Sequence, residues 1–319
     1  MGEFDLIERF FKRPARRAVL GVGDDCALIA PRPGMHLAFS TDTLVEGRHF
    51  LTTVDPVRLG HKSLAVNLSD LAACGAHPRA FLLSLALPRI DEAWLSGFAQ
   101  GLWSLADLFE CDLIGGDTTQ GPLNINITVI GDVPPGQALL RSGAQVGDDI
   151  YVSGHLGDAR VALEVFRGTL SVPQSVFNAT RDRMEKPSPR VALGIALRGV
   201  AHSATDISDG LSGDLGHILK SSNIGADLEM AQLLPLLACG TQLELEAHQR
   251  LQFVLSGGDD YELVFTAPVS QRGQVAAAAQ SSLTPVTRVG TIRPGSGLRI
   301  LDAAGHQIQC EYASFDHFA

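Results

Sequence analysis

Six short segments of this chain pair aspartate with glycine, serine or threonine, and these residues are well suited to chemistry. The segments are GVGDDCA (21–27), STDT (40–43), NLSDLAACG (67–75), GGDTT (115–119), DISDG (206–210) and GGDDYE (257–262). Aspartate offers hard oxygen ligands to Mg²⁺, the neighbouring hydroxyl groups add further oxygens, and glycine lets a phosphate approach the backbone closely. Any one segment alone is more typical of a turn or a helix cap. Taken as a set, they favour a site for magnesium and a phosphorylated ligand.

Converging carboxylates need cations to remain ionised. Two of them repel by roughly 4 kcal/mol at ~4 Å and an effective dielectric constant near 20. Mg²⁺ usually binds one or two carboxylates and completes its shell with water and substrate phosphates, which suits ligands dispersed along a chain. We therefore expect several magnesium ions.

The familiar phosphate-binding loops are missing from the sequence. It contains no GxxxxGK[ST] segment, no complete GxGxxG, no kinase HRD or DFG triplet and no EF-hand loop. Arg141, in LLRSGA, is a candidate for a bidentate phosphate contact, and a structural role for it is equally open. His49 follows STDT closely enough to share its site, although a single histidine is more often structural. The histidines show no zinc-binding spacing.

Composition limits the function classes. The 319 residues suffice for two lobes with sizeable cores, and 45% of them are hydrophobic. A formal net charge of -10 disfavours nucleic-acid binding. We find no secretory signal, lipidation motif or long apolar run, so we expect a cytoplasmic protein with no membrane anchor. The 5 cysteines form no CxxC pair, which predicts reduced thiols.

Hydrophobic periodicity predicts the elements that carry these motifs. In the first half we expect helices over 3–13, 55–75 and 91–109, and strands over 37–43, 81–88, 112–116 and 124–133. In the second half we expect strands over 149–154, 204–208, 226–230, 261–267, 287–292 and 298–301, and helices over 157–168, 188–200 and 211–222. Several motifs follow the end of an apolar strand, where α/β folds build ligand sites. The Gly- and Pro-rich stretch 134–149 predicts a junction, dividing domains 1–137 and 138–319.

In this order the motifs resemble the thiamine-monophosphate kinase family, part of the superfamily of aminoimidazole-ribotide and selenophosphate synthetases. The similarity runs from GEFDLIERFF to the terminal FDHFA. It implies a two-domain PurM-like synthetase fold of mixed α/β (α+β) sheets. The N-terminal lobe would form a barrel-like sheet with its twin in a homodimer, and the C-terminal lobe would be a separate α/β unit. The implied reaction converts ATP and thiamine monophosphate to ADP and thiamine diphosphate by direct in-line transfer.

The resemblance also implies site residues, motif by motif. The implied Mg²⁺ ligands are Asp25, Ser40, Thr41, Asp42, Asp70, Asp117, Asp206 and Asp209. The implied nucleotide contacts are Gly116, Asp117, Arg141 and Ser208. The implied thiamine phosphate contacts are His49, Asp259 and Phe315. We assign catalysis to Asp42, Asp117, Arg141 and Asp209.

Some features leave other functions open. The family's usual GGEDYEL is GGDDYEL here, so Asp259 carries a carboxylate one methylene shorter than glutamate. One related synthetase would want a catalytic cysteine near the N-terminus and another a cysteine at the extreme C-terminus, yet the first cysteine is Cys26, inside a metal motif, and the chain ends FDHFA. A noncatalytic magnesium-dependent nucleotide sensor would keep the aspartates but need no acceptor pocket, and we expect aspartates of both lobes to meet at a cleft where ATP and acceptor bind.

Overall fold

The computed structural model describes residues 2–308, which divide into two compact units. The first unit takes in the residues up to Leu71 together with Ala76–Gly136. The second takes in Ala72–Gly75 and the described residues from Gln137 onward. Between residues 2 and 308, no helix is long and apolar enough to cross a membrane.

The first unit is a four-stranded mixed sheet with helices. In chain order its elements are α1 (Glu3–Leu6) with a π-helical turn (Ile7–Phe11), β1 (His36–Val45), α2 (Pro56–Ala73), β2 (His77–Leu87), α3 (Glu92–Leu108), β3 (Asp112–Gln120) and β4 (Asn124–Val133). The strand order is β1-β4-β2-β3. Strand β4 is antiparallel to β1 and β2, whereas β2 and β3 are parallel.

Alternation along β4 explains the two different faces of this sheet. Ile125, Ile127 and Val129 are buried, while the intervening Asn126 and Thr128 are partly exposed. Successive side chains of a strand point to opposite faces, so one face of the sheet is apolar and the other is polar.

Helices α2 and α3 pack unusually close together. A Cβ atom at Gly101 would overlap the carbonyl oxygen of Val57, and one at Gly60 would overlap that of Phe98. Residues 62–69 of α2 are all buried. Glycine at the crossing therefore lets the two backbones touch.

The second unit is a six-stranded sheet with helices. Its elements are β5 (Asp149–Ser153), α4 (Asp158–Phe166), α5 (Gln174–Glu185), α6 (Val191–Ala196), β6 (Ser203–Ile207), α7 (Leu211–Ser222), β7 (Gly225–Glu229), α8 (Met230–Leu233), α9 (Ala247–Ser256), β8 (Glu262–Ala267), α10 (Arg272–Ser281), β9 (Val286–Arg293) and β10 (Gly297–Leu301). The strand order is β10-β7-β9-β5-β8-β6. Its core includes Ile150, Val264 and Leu215.

The mixed α/β class expected from the sequence is confirmed, and most elements lie where the periodicity predicts them. Strand β3 runs on to Gln120 rather than ending at residue 116, because it pairs with β2 as far as Leu87. Helices α5, α9 and α10 were not predicted. In α5 only Val176, Thr180 and Met184 present a buried stripe before the terminal Glu185, and the rest of the helix is polar.

Replacing Gly101 by alanine should loosen the α2–α3 contact. We expect Gly101→Ala to lower the free energy of unfolding by about 2 kcal/mol, because an overpacked site forces backbone shifts. Gly216→Ala in α7 is the matched control, since nothing lies within 4 Å of its added Cβ. The control should be neutral or stabilising by up to about 1 kcal/mol. Denaturant unfolding followed by circular dichroism measures both, and equal effects would contradict close helix packing.

Asp149, at the start of β5, is a buried carboxylate held by two arginines. Its side chain is 1% exposed and pairs with Arg272 at 2.6 Å and Arg288 at 2.6 Å. Burial by itself would raise the pKa of Asp149, but the hydrogen bonds from the two arginines outweigh it and hold the pKa below its ordinary 3.8. A depressed pKa in the folded state stabilises the protein at pH values above the unfolded pKa.

Asp149→Asn should therefore destabilise the protein at neutral pH. The buried side chain would lose its charge-assisted hydrogen bonds from two partly exposed arginines, which lowers the free energy of unfolding. The deficit relative to wild type should shrink as the pH falls below about 4, because Asp149 then binds a proton first in the unfolded chain and, at still lower pH, in the folded protein as well. Thermal or denaturant unfolding from pH 7 to pH 3 tests this, and a deficit that does not depend on pH would contradict it.

Candidate active site

The GVGDD loop and the GGD turn of the first unit line one cleft. The cleft has a volume of about 910 Å³, and Asp25, Gly116 and Asp117 are on its wall. The apolar side chains of Phe4 and Ile7 line it as well. The cleft thus combines carboxylates and a glycine backbone with an apolar surface, a combination typical of small-molecule sites.

Gly116 cannot be replaced without moving β2. Its φ is 149°, and a Cβ atom would overlap the carbonyl oxygen of Leu83 on the neighbouring strand. The requirement for glycine therefore has a steric cause in the fold. The exposed Asp117 follows it directly, paired in register with Ser84.

A second polar group lies between β1 and α2. The Ser40 hydroxyl donates a hydrogen bond to Asp70, and the Asp42 amide donates one to Oδ1 of Asn67 at 3.1 Å. Asn67 in turn donates from Nδ2 to the carbonyl of Ser63 at 3.0 Å, which fixes its amide. We call Ser40, Asp42, Asn67 and Asp70 the β1–α2 seam.

The Thr41 side chain does not lie in the β1–α2 seam with its sequence neighbours Ser40 and Asp42. Its hydroxyl donates to the carbonyl of Ile127 at 3.1 Å and accepts from Asn126 and Thr128, on the polar face of the sheet. The alternation of side chains along β1 causes this separation. The Thr41 hydroxyl therefore does not lie beside the Ser40 hydroxyl and the Asp42 carboxylate, so it cannot share a metal ion with them in this arrangement.

The cleft and the seam are separate places within the first unit. Asp42 pairs with Ile127, Ile127 with Leu83, and Leu83 with Gly116. Three strand spacings correspond to roughly 14 Å along the sheet. The sequence motifs of this unit thus form two groups, Asp25 with Asp117 and Ser40 and Asp42 with Asp70.

His49 lies in the turn that follows β1. Its Nδ1 accepts a hydrogen bond from the Val45 amide at 3.0 Å, and its carbonyl accepts one from Lys62 at 3.5 Å. Because Nδ1 accepts this hydrogen bond, the proton of a neutral imidazole ring lies on Nε2. His49 therefore presents Nε2–H as a donor. Phe315, the other expected aromatic contact, lies outside residues 2–308.

In the second unit the DISDG and GGDDYE segments lie side by side. The Asp259 amide donates to the carbonyl of Ser208 at 2.8 Å, and the Tyr261 amide donates to that of Ile207 at 2.8 Å. The Tyr261 hydroxyl donates to Oδ1 of Asp259 at 3.1 Å. These bonds bring Ser208, Asp209 and Asp259 together.

Arg141 contacts β6, the strand that carries Asp206. Nε of Arg141 donates to the Thr205 hydroxyl at 3.3 Å, one residue before Asp206 on β6. Asp206 is only 6% exposed, whereas Arg141 is exposed. Side chains alternate along a strand, so Thr205 and Asp206 point to opposite faces of β6, and the contact places the Arg141 guanidinium on the Thr205 face. An exposed guanidinium is suited to meeting an anionic ligand.

Asp214 supports this group and was not predicted from the sequence. Its Oδ2 accepts hydrogen bonds from the Ser208 and Asp209 amides, both at 3.0 Å. Burial raises the pKa of Asp214 to about 7, and the charge of Asp209 adds to this, while the two amides and Arg141 oppose it. Asp214 lies in the first turn of α7 and reaches back to amides five and six residues earlier in the chain, a contact for which the sequence offered no recognised capping pattern.

The described residues contain no group of three or more His, Cys, Asp or Glu side chains that could hold a metal ion by themselves. The carboxylates instead lie in ones and twos, with hydroxyl and amide oxygens nearby. Such a donor set fits Mg²⁺, which takes hard oxygens and leaves positions for water and phosphate. It does not fit zinc, which prefers a closed set of nitrogen and sulfur ligands.

The fold and these sites define a class of protein. Residues 23–133 match the N-terminal domain of AIR synthase related proteins, and residues 145–302 match the C-terminal domain. The chain therefore has the two-domain architecture of the AIR synthase related proteins.

Individual relatives narrow the class. The thiamine-monophosphate kinase of Escherichia coli (strain K12) is 44% identical over 322 residues, which cover 100% of this chain and 98% of the relative. The crystal structure of thiamine-monophosphate kinase from Stenotrophomonas maltophilia K279a matches with a TM-score of 0.85 and 43% identity, over 94% of this chain and 96% of that one. This chain belongs to the thiamine-monophosphate kinase family.

A further solved structure shares the fold with a ligand pair bound. It is described as AaThiL complexed with AMPPCP and TMP, and it matches with a TM-score of 0.77 and 26% identity, over 91% of this chain and 89% of that one.

Proposed function

We propose that this chain transfers the γ-phosphoryl group of ATP to thiamine monophosphate, giving ADP and thiamine diphosphate. The observation that carries the proposal is the cleft of the first unit, where Asp25, Gly116 and Asp117 meet in a chain similar over its full length to thiamine-monophosphate kinases. A noncatalytic nucleotide sensor is less well supported, because the relatives named above are kinases and their similarity covers nearly the whole chain.

Magnesium is part of the proposal. Asp25 and Asp117 of the cleft, Ser40, Asp42 and Asp70 of the seam, and Asp206 and Asp209 of the second unit are the residues that would hold it. Bound ions would neutralise negative charge on the phosphates and align donor and acceptor. The Ser40–Asp70 hydrogen bond orients one carboxylate in advance.

The acceptor requires little proton chemistry. A phosphate monoester with a second pKa near ~6 is mostly a dianion at neutral pH, so it attacks without a strong general base. The residues of this chain then have to position two anions and reduce their repulsion. Arg141 supplies a positive charge and Gly116 leaves the backbone open to the nucleotide, while His49, Asp259 and Phe315 are assigned to the acceptor. We propose direct in-line transfer with no phosphoenzyme.

We also propose a cytoplasmic homodimer. Phe39 lies on the polar face of the first sheet. Its side chain is 63% exposed, although its strand β1 pairs with β4 along its whole length. The resemblance to the thiamine-monophosphate kinase family implies a dimer through this sheet, and Phe39 is a candidate contact in it. A second copy of this chain is the expected partner, and its presence can be measured by light scattering.

The activity can be tested directly. We expect ADP release from Mg-ATP to depend on thiamine monophosphate, with thiamine diphosphate appearing in equal amount by ³¹P NMR. Omitting the acceptor is the control for adventitious ATPase activity. Binding of Mg-ATP without acceptor-dependent turnover would support a sensor and overturn the kinase proposal.

Asp42→Asn should nearly abolish turnover without unfolding the protein. Losing one charge at a proposed metal ligand removes transition-state stabilisation, and we expect kcat to fall on the order of 100-fold or more. The matched control is Asp91→Asn in the same unit. Asp91 accepts from the Ala93 and Trp94 amides as the N-cap of α3, and asparagine caps equally well. Retention of a near-normal rate by Asp42→Asn would remove Asp42 from the metal site.

A further inference from the structure

The turn at 257–261 has a backbone conformation that side chains disfavour. Gly258, Asp259 and Tyr261 have φ values of 69°, 62° and 51°. Residues other than glycine rarely adopt this left-handed region, and such strain persists only where the surrounding structure enforces it. Some set of contacts must therefore hold the turn.

The turn divides its side chains between two surroundings. Asp259 and Tyr261 face the DISDG segment, to which their amides are bonded at 2.8 Å. Asp260 and Glu262 are buried, at 5% and 1% exposure. Both oxygens of Asp260 accept from the Gly157 amide, at 3.0 and 3.1 Å. Burial raises the pKa of Asp260 well above its ordinary value.

The Glu262 carboxylate is held by more hydrogen bonds than that of Asp260, and we call this set of bonds the anchor. Arg190 donates to both of its oxygens, from Nε at 2.6 Å and Nη2 at 2.5 Å, and Arg183 donates from Nη2 at 2.8 Å. The Ser153 hydroxyl donates at 2.6 Å. A Cβ atom at Gly154 would overlap this carboxylate, so the backbone there is shaped to receive it.

The anchor ties the turn to three other elements. Ser153 ends β5, Arg183 lies on α5, and Arg190 directly precedes α6. Arg183 also donates to the carbonyl of His155 at 2.9 Å. Glu262 begins β8 immediately after Tyr261, so fixing its side chain fixes the end of the strained turn.

We infer that Glu262, held by Arg183 and Arg190, is a positioning residue that keeps the 257–261 turn in its strained form and so presents Asp259 beside Ser208 and Asp209. The inference rests on the proposed function for its kinetic consequence, because Asp259 is there assigned to thiamine monophosphate. The claim that Glu262 holds the 257–261 turn in place does not depend on that assignment. Glu262 itself touches no reacting atom.

Amide hydrogen exchange tests whether Glu262 holds the 257–261 turn in place. We expect Glu262→Gln to speed exchange in the 257–262 segment by about tenfold or more, since loss of the anchor frees the two amides bonded to Ile207 and Ser208. Asp149→Asn is the matched control, because it too removes a buried carboxylate with two arginine partners from the same sheet. Because Asp149→Asn lowers stability without touching the anchor, it should speed exchange in this segment less than Glu262→Gln does.

Arg190→Lys covers the case in which Glu262→Gln does not fold. Lysine keeps the charge but loses the two-pronged contact, so the same segment should exchange faster by a smaller factor. The inference is overturned if Arg190→Lys and any folded Glu262→Gln protein keep wild-type protection, or if Asp149→Asn loosens the segment equally.

Steady-state kinetics test the consequence for the site. In Glu262→Gln we expect the KM for thiamine monophosphate to rise about tenfold or more, while the KM for Mg-ATP stays within about threefold, because a misplaced contact affects the ligand it serves. Asp149→Asn should change neither. Equal changes in both KM values, or none, would overturn the positioning role. If the wild-type protein does not turn over thiamine monophosphate, the proposed function fails and hydrogen exchange still decides the inference.

Discussion

The compensation of buried negative charge is the constraint on which the second unit depends. Glu262 and Asp149 are almost completely buried, and each is bonded to two arginines. An uncompensated buried ion costs several kcal/mol, so the position of the arginines decides where a carboxylate can remain ionised inside this fold. Asp214 and Asp260 accept backbone amides instead, and the pKa of each is raised. Two kinds of buried acid thus serve two structural purposes.

The two kinds of acid surround the DISDG and GGDDYE segments. Asp214 holds the Ser208 and Asp209 amides from one side, and Glu262 holds the strained turn through its arginines. The partly exposed side chains of these segments are therefore held by carboxylates that are themselves buried in the protein. A rigid support of this kind is what phosphoryl transfer needs, since positioning and charge compensation supply most of its catalysis.

The first unit depends on close backbone approach rather than on buried ion pairs at its candidate sites. Gly116 lies against Leu83 in the sheet, and Gly101 lies against Val57 where the helices cross. In both places an added methyl group would overlap a carbonyl oxygen. The cleft and the β1–α2 seam consequently lie on a rigid sheet, at fixed register, with their carboxylates distributed in ones and twos. This arrangement suits a metal that shares its ligands with phosphate.

The sequence by itself determined the chemistry and most of the elements. Helices α2 and α3 and strand β4 carry strong periodic patterns, and the family, the reaction and the candidate aspartates followed from the order of short motifs. Weakly patterned helices such as α5 escaped notice, because a polar helix with a narrow apolar stripe looks like a loop. Only the tertiary structure decided that the Thr41 hydroxyl lies apart from Asp42, that Asp214 accepts the Ser208 amide, and that Glu262 meets Arg190. Those arrangements come from side-chain alternation, strand register and the way the chain folds back on itself, and the spacing of the residues along the chain carries no signal of them.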